Sequence, residues 1–194
     1  MMRKLGIAVA SAAVGVLTFA GAAVAADIDG TNGADNLNGT PNSDTIQGFA
    51  GRDTINGRDG NDDEFGGNGN DTMNGNRDND YMEGDNDNDL MNGNQGGDEM
   101  YGERGADSVL GGRDNDDVAG GRFNDTVSGG AGFDEVFPGP GADEAFGGDN
   151  DDTLYVNVDG APDTIDCGDG QDTVVQGGGN QDPADDYFRC ENFV

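Results

Sequence analysis

Aspartate recurs in this chain at a fixed spacing. From Asp35, steps of nine land on Asp44, Asp53, Asp62, Asp71, Asp80, Asp89, Asp98, Asp107, Asp116, Asp125, Asp134, Asp143 and Asp152 without a miss. A carboxylate can act as general acid or base, as nucleophile, or as a hard oxygen ligand. Acid–base pairs need two groups held in unequal environments, and fourteen equivalent ones single out neither an acid nor a nucleophile. The chain has no histidine, which removes Ser/His/Asp and Cys/His triads and His-ligated zinc. No glycine-rich stretch leads into Lys-Ser or Lys-Thr, so a phosphate loop is absent as well. Asp85-Asn86-Asp87-Asn88-Asp89 starts like an EF-hand loop, but Leu90 stands where that loop needs glycine. Ligation of a hard cation is the chemistry left.

The elements that must position these ligands share the period. Two residues after each Asp come Leu37, Ile46, Ile55, Glu64, Met73, Met82, Met91, Met100, Val109, Val118, Val127, Val136, Ala145 and Leu154, apolar except for Glu64. Four residues after the Asp stands glycine, from Gly39 to Gly129 and again at Gly147. Three residues centred on the apolar position make a minimal strand, with that side chain inward and its polar neighbours outward. The other six must reverse the chain, and glycine there admits positive φ. Two units then close one flattened coil, and equivalent residues return every 18 positions. Stacked about 4.8 Å apart, the aspartates from Asp35 to Asp143 form one column and those from Asp44 to Asp152 the other. Such columns repel unless a divalent ion sits between coils. Calcium suits them, since it takes six to eight oxygens at flexible geometry, whereas magnesium demands a tight octahedron. Seven coils offer six gaps on each edge, hence up to about 12 ions. The thin apolar row predicts a chain that folds only when calcium arrives.

Gly66-Gly67-Asn68-Gly69-Asn70-Asp71-Thr72-Met73-Asn74 matches every fixed position of GGxGxDxUx, where U is a large aliphatic residue. Gly130-Ala131-Gly132-Phe133-Asp134-Glu135-Val136 and Gly148-Asp149-Asn150-Asp151-Asp152-Thr153-Leu154 are looser copies. On these residues the chain resembles the hemolysin-type (RTX) calcium-binding nonapeptide-repeat proteins. The resemblance implies an all-β fold, a parallel β-roll (right-handed β-solenoid) with calcium held between turns. It also suggests export before folding, because calcium is scarce inside cells.

Composition agrees with a chain neutralised by cations. Nine Lys+Arg face 40 Asp+Glu in 194 residues, a net charge of −31, which repels nucleic acid and anionic membranes. Arg3 and Lys4, an apolar run from Leu5 to Ala20 and Ala23-Val24-Ala25 read as a signal peptide over residues 1–26, cut after Ala25 or Ala26. Its removal takes two positive charges, leaving −33 and a secreted, extracellular chain with no membrane span. Residues 27–34 read as a lead-in, 35–156 as the roll, and 157–194 as a modified last coil and cap. There Asp163-Thr164-Ile165 and Asp172-Thr173-Val174 keep the pattern two residues out of phase. Cys167 and Cys190 are expected to form a disulfide stapling the cap; free thiols are the alternative.

Glu64 breaks the apolar row, either as one imperfect repeat or through a local shift that turns Phe65 inward. Phe65, Tyr101, Phe137 and Tyr155 fall on one outer side. The expected protein is no enzyme but a calcium-binding roll. The alternative is a calcium-stiffened adhesin, matrix or spacer protein using that aromatic side against a cell surface or another copy. An ice-binding face fits less well, because Leu90 and Ser108 interrupt the threonine row that Thr54 and Thr72 begin.

Overall fold

The computed structural model describes residues 7–8, 24–177 and 183–194. Among them are twenty strands and no helix, so no helix is long and apolar enough to cross a membrane. From Asp27–Asp29 onward the strands alternate between two wholly parallel sheets, one of eleven and one of nine strands, in a β-solenoid of about nine turns. Parallel neighbours are related by one full coil: Thr54 pairs with Thr72, Thr72 with Leu90, and Ser108 with Thr126. The 18-residue coil is therefore the repeating unit.

Alternation explains the core. In Thr72–Arg77 the buried residues are Met73 and Gly75, with partly exposed neighbours between them. Ile46, Ile55, Met73, Met82, Met91, Met100, Val109, Val118, Val127, Val136, Ala145 and Leu154 are all fully buried. The row continues through Ile165 and Val174, with Cys167 beside it. Glu64 stays in line, in register between Ile46 and Met82, and is also fully buried. Phe65 remains on the outer face against Tyr81, ring centroids 6.0 Å apart, so the local shift does not occur.

Most strands are longer than three residues. Thr54–Asp59 and Asp63–Asn68 are typical, running from the residue after one Asp well into the supposed turn. The ladder persists there because successive coils bend at the same place and remain in pairing distance, as in Arg58 with Asn76. Only about three residues per half-coil make the reversal.

From Asp53 to Asp152 the bend requires positive φ four residues before the Asp, at Gly67, Gly121 and Gly130, and equally at Arg58 (93°), Asn76 (85°) and Glu103 (72°). The reversal is tied across coils by asparagines just before the Asp. Asn79, Asn88 and Asn115 accept from the amides of Gly97, Ala106 and Phe133 at 3.0–3.1 Å.

The last turns depart from the period but keep the stack. Thr164–Asp169 pairs with Glu144–Asp149 at a spacing of 20 residues, and Asp186–Phe188 and Asn192–Phe193 add the final strand to each sheet. Cys167 and Cys190 form a disulfide, with Cα atoms 5.1 Å apart. Arg189 Nε and Nη2 grip the two Asp166 oxygens at 2.7 Å, and Tyr187 packs edge-on against Phe193. At the other end Asp27–Asp29 pairs with Thr45–Gln47, and Ile7–Ala8 lies alongside it. The expected signal peptide otherwise lies outside the described residues, apart from 24–26.

Candidate metal centre

Each Asp of the repeat sits two residues before a core side chain, so alternation points it inward too. From Asp44 to Asp152 these aspartates are at most 4% exposed, while Asp35 at the first coil is partly buried. Stacking gives their two carboxylate oxygens different fates. The backbone N–H of Asp71 donates to Asp89 Oδ1 at 2.8 Å, that of Asp89 to Asp107 Oδ1 and that of Asp107 to Asp125 Oδ1. On the other edge Asp62, Asp80 and Asp98 donate in the same way to Asp80, Asp98 and Asp116 at 2.8–2.9 Å. Each Oδ1 is thereby a rung of a ladder running along the solenoid.

The second oxygen has no such partner. Oδ2 of Asp53, Asp62, Asp71, Asp80, Asp89, Asp98, Asp107, Asp116, Asp125, Asp134, Asp143, Asp152 and Asp172 is buried without a hydrogen bond. Such an atom costs free energy unless something positive meets it. Burial pushes the carboxyls of Asp80, Asp89 and Asp116 up to about 8, against the Asp–amide bonds that favour the charged form. Their column neighbours raise them further: Asp98 and Asp62 act on Asp80, Asp107 and Asp71 on Asp89.

Asp35 and Asp44 differ. The N–H of Thr31 donates to Asp35 Oδ2 at 2.6 Å and that of Thr40 to Asp44 Oδ2 at 2.5 Å, so the first member of each column is already satisfied.

At Gly48 through Gly129 and at Gly147, the space facing the free oxygen exists because glycine lines it. A Cβ added to Gly66 would lie 2.7 Å from Asp71 Oδ2 and 2.8 Å from the Gly84 carbonyl oxygen; on Gly111 it would meet Asp116 Oδ2 at 2.5 Å and the Gly129 carbonyl at 2.6 Å. The small cradle is thus bordered by one carboxylate oxygen and one carbonyl oxygen from the next coil. Among the described residues no three acidic, Cys or His side chains converge as a preformed cage. The donor set is carboxylate plus backbone carbonyl, oxygen only and hard, which fits calcium.

Two acids that the period leaves out join the columns. Asp143 donates to Asp163 Oδ1 and Asp152 to Asp172 Oδ1, both at 2.9 Å. Asp163 and Asp172 in turn donate to Asp185 Oδ1 and Glu191 Oε2, each at 3.1 Å. Their Asp-x-apolar triplets carried the signal, but a two-residue offset hid their alignment. The turn acids Asp78, Asp87 and Asp114 are exposed.

Fold and site together define a class: a parallel β-solenoid edged by stacked, charge-bearing turns, a calcium-binding repeat architecture. The RTX calcium-binding nonapeptide repeat matches in four copies, over residues 29–64, 65–100, 92–127 and 128–159, and the chain belongs to that family. These repeats imply calcium binding. No curated protein matches the chain.

Proposed function

We propose that this chain is an exported, non-catalytic protein whose roll forms when calcium enters between its coils. The observation that carries the reading is the pair of buried columns in which thirteen Asp Oδ2 atoms lack any hydrogen-bond partner. A fold that drives like charges into its interior and leaves them unpaired is stable only with counter-ions in place. The ligands are the Oδ2 atoms of the repeat aspartates with carbonyl oxygens of the neighbouring coil. The fourteen aspartates from Asp35 to Asp152 account for up to about 12 ions, and Asp163 and Asp172 extend each column by one gap. Calcium supplies positive charge and coordination; the chain supplies the spacing. In this reading residues 1–26 are the removed leader, 27–34 the lead-in, 35–156 the roll and 157–194 the closing segment. Export then delivers an unfolded chain to a calcium-rich exterior.

Far-UV circular dichroism tests this directly. In excess EDTA at neutral pH the spectrum is expected to be that of a disordered chain, turning to β as calcium is added, with calorimetry counting the ions. A full β spectrum in EDTA would refute the reading.

One observation favours an added role in adhesion or spacing. Phe65, Tyr81 and Tyr101 form a run of ring contacts on the outer face, at 6.0 and 5.9 Å, and Phe137 stacks on Tyr155 at 4.4 Å. Partly exposed aromatic rows serve as contact surfaces. Calcium-dependent association of the chain with itself, measured by sedimentation, would support that role, and monomers at every concentration would count against self-association.

A further inference from the structure

Glu64 is the one acid in the inward row that elsewhere holds aliphatic or Met side chains. It is fully buried, and neither of its carboxylate oxygens has a hydrogen-bond partner. The Gly57 amide lies near enough to favour the charged form but completes no hydrogen bond. Its direction is specific. The point where a Cβ on Gly57 would stand is 2.5 Å from Glu64 Oε1, closer still to Asp62 Oδ2, and 3.0 Å from the Gly75 carbonyl oxygen. Two carboxylate oxygens and a carbonyl from the next coil therefore converge on one small space, whereas the corresponding glycines, such as Gly48, Gly66, Gly75 and Gly111, each meet a single carboxylate.

We infer that Glu64 is an additional calcium ligand, which makes the gap between the Asp62 and Asp80 coils a site unlike the rest. A second carboxylate adds charge and a further hard oxygen to this gap alone, and calcium affinity follows the charge of its ligands. The ion at this gap binds first. It lies early in the roll, where one occupied gap fixes two coils in register, so it is the nucleus from which filling proceeds along the solenoid. The inference rests on the calcium reading above and adds to it a residue and an order of filling.

Glu64→Gln and Glu64→Met separate the alternatives. Gln keeps size and polarity without charge, and Met is the residue of the next two coils in the same column, Met82 and Met100, so the Met variant should fold. The probe is calcium alone, followed by native mass spectrometry at buffered free calcium and by the circular-dichroism folding midpoint. For the wild type the first ion is expected at free calcium lower by a factor on the order of 10 than in either variant, with both variants folding at higher calcium. If Glu64 is a neutral misfit, the variants bind the first ion as the wild type does, and Glu64→Met folds at lower calcium; that result overturns the inference while leaving calcium binding intact. A wild type that binds no calcium overturns both.

Discussion

At the scale of single residues, the two oxygens of one aspartate do different work. Oδ1 is held by the amide of the preceding coil, as in Asp71 to Asp89, while Oδ2 is left without a donor. A carboxyl in that state is easier to protonate, and the pH dependence follows. Asp80, Asp89 and Asp116 are pushed up to about 8 from an ordinary value of 3.8, chiefly through burial. A folded pKa above the unfolded one contributes stability that is complete below about pH 4 and lost as pH rises through 8. In EDTA, acidification from pH 8 toward 4 is therefore expected to increase β structure by circular dichroism. With calcium present, protons compete for the same oxygens, so the calcium midpoint should rise as pH falls; a midpoint independent of pH would contradict this. Strain also resides at single residues. Glu103 holds φ at 72° where the next two coils carry Gly121 and Gly139. Glu103→Gly is expected to stabilise the loaded roll by about 1 kcal/mol, read from chemical denaturation at saturating calcium.

At the scale of the element, the half-coil joins a core position to the carboxylate proposed as a ligand two residues away. Packing and ligation are consequently coupled through each strand. Met91 is fully buried two residues after Asp89. Met91→Ala should cost about 2–5 kcal/mol and raise the calcium midpoint, although no ligand changes. The apolar row and the columns were readable in the sequence because a strand alternates sides whatever surrounds it. The six-residue length of strands such as Thr54–Asp59 was not, since residues such as Arg58 pair only when the coil above bends in the same way.

At the scale of the whole molecule, contacts join each coil mainly to the next, so stability is a sum along the stack and the ends are its weak points. The C-terminal end is held by Cys167–Cys190, whose cysteines are 23 residues apart. The disulfide, the Arg189 grip on Asp166 and the Tyr187–Phe193 contact all cover the last coil. Reducing it is expected to destabilise the calcium-loaded protein by about 3 kcal/mol, seen as a lower thermal midpoint in dithiothreitol at constant calcium. An unchanged midpoint would mean that strand pairing alone closes this end.

The period of nine, the inward row and the two carboxylate columns are properties of the chain itself. They depend only on strand alternation and on a coil of constant length, both local, so a repeat written in the residues becomes a repeat in space. Two features were decided by the assembled coils. Asp163 and Asp172 return to the columns although two extra residues precede them, because the loop absorbs the offset while the amides of Asp143 and Asp152 seek the next carboxylate. Glu64 keeps its inward place because the register of the coils on either side leaves no room for a slip of one residue. Each is settled by contacts between residues far apart in the chain, and spacing along the sequence does not encode which of two oxygens such a contact will satisfy.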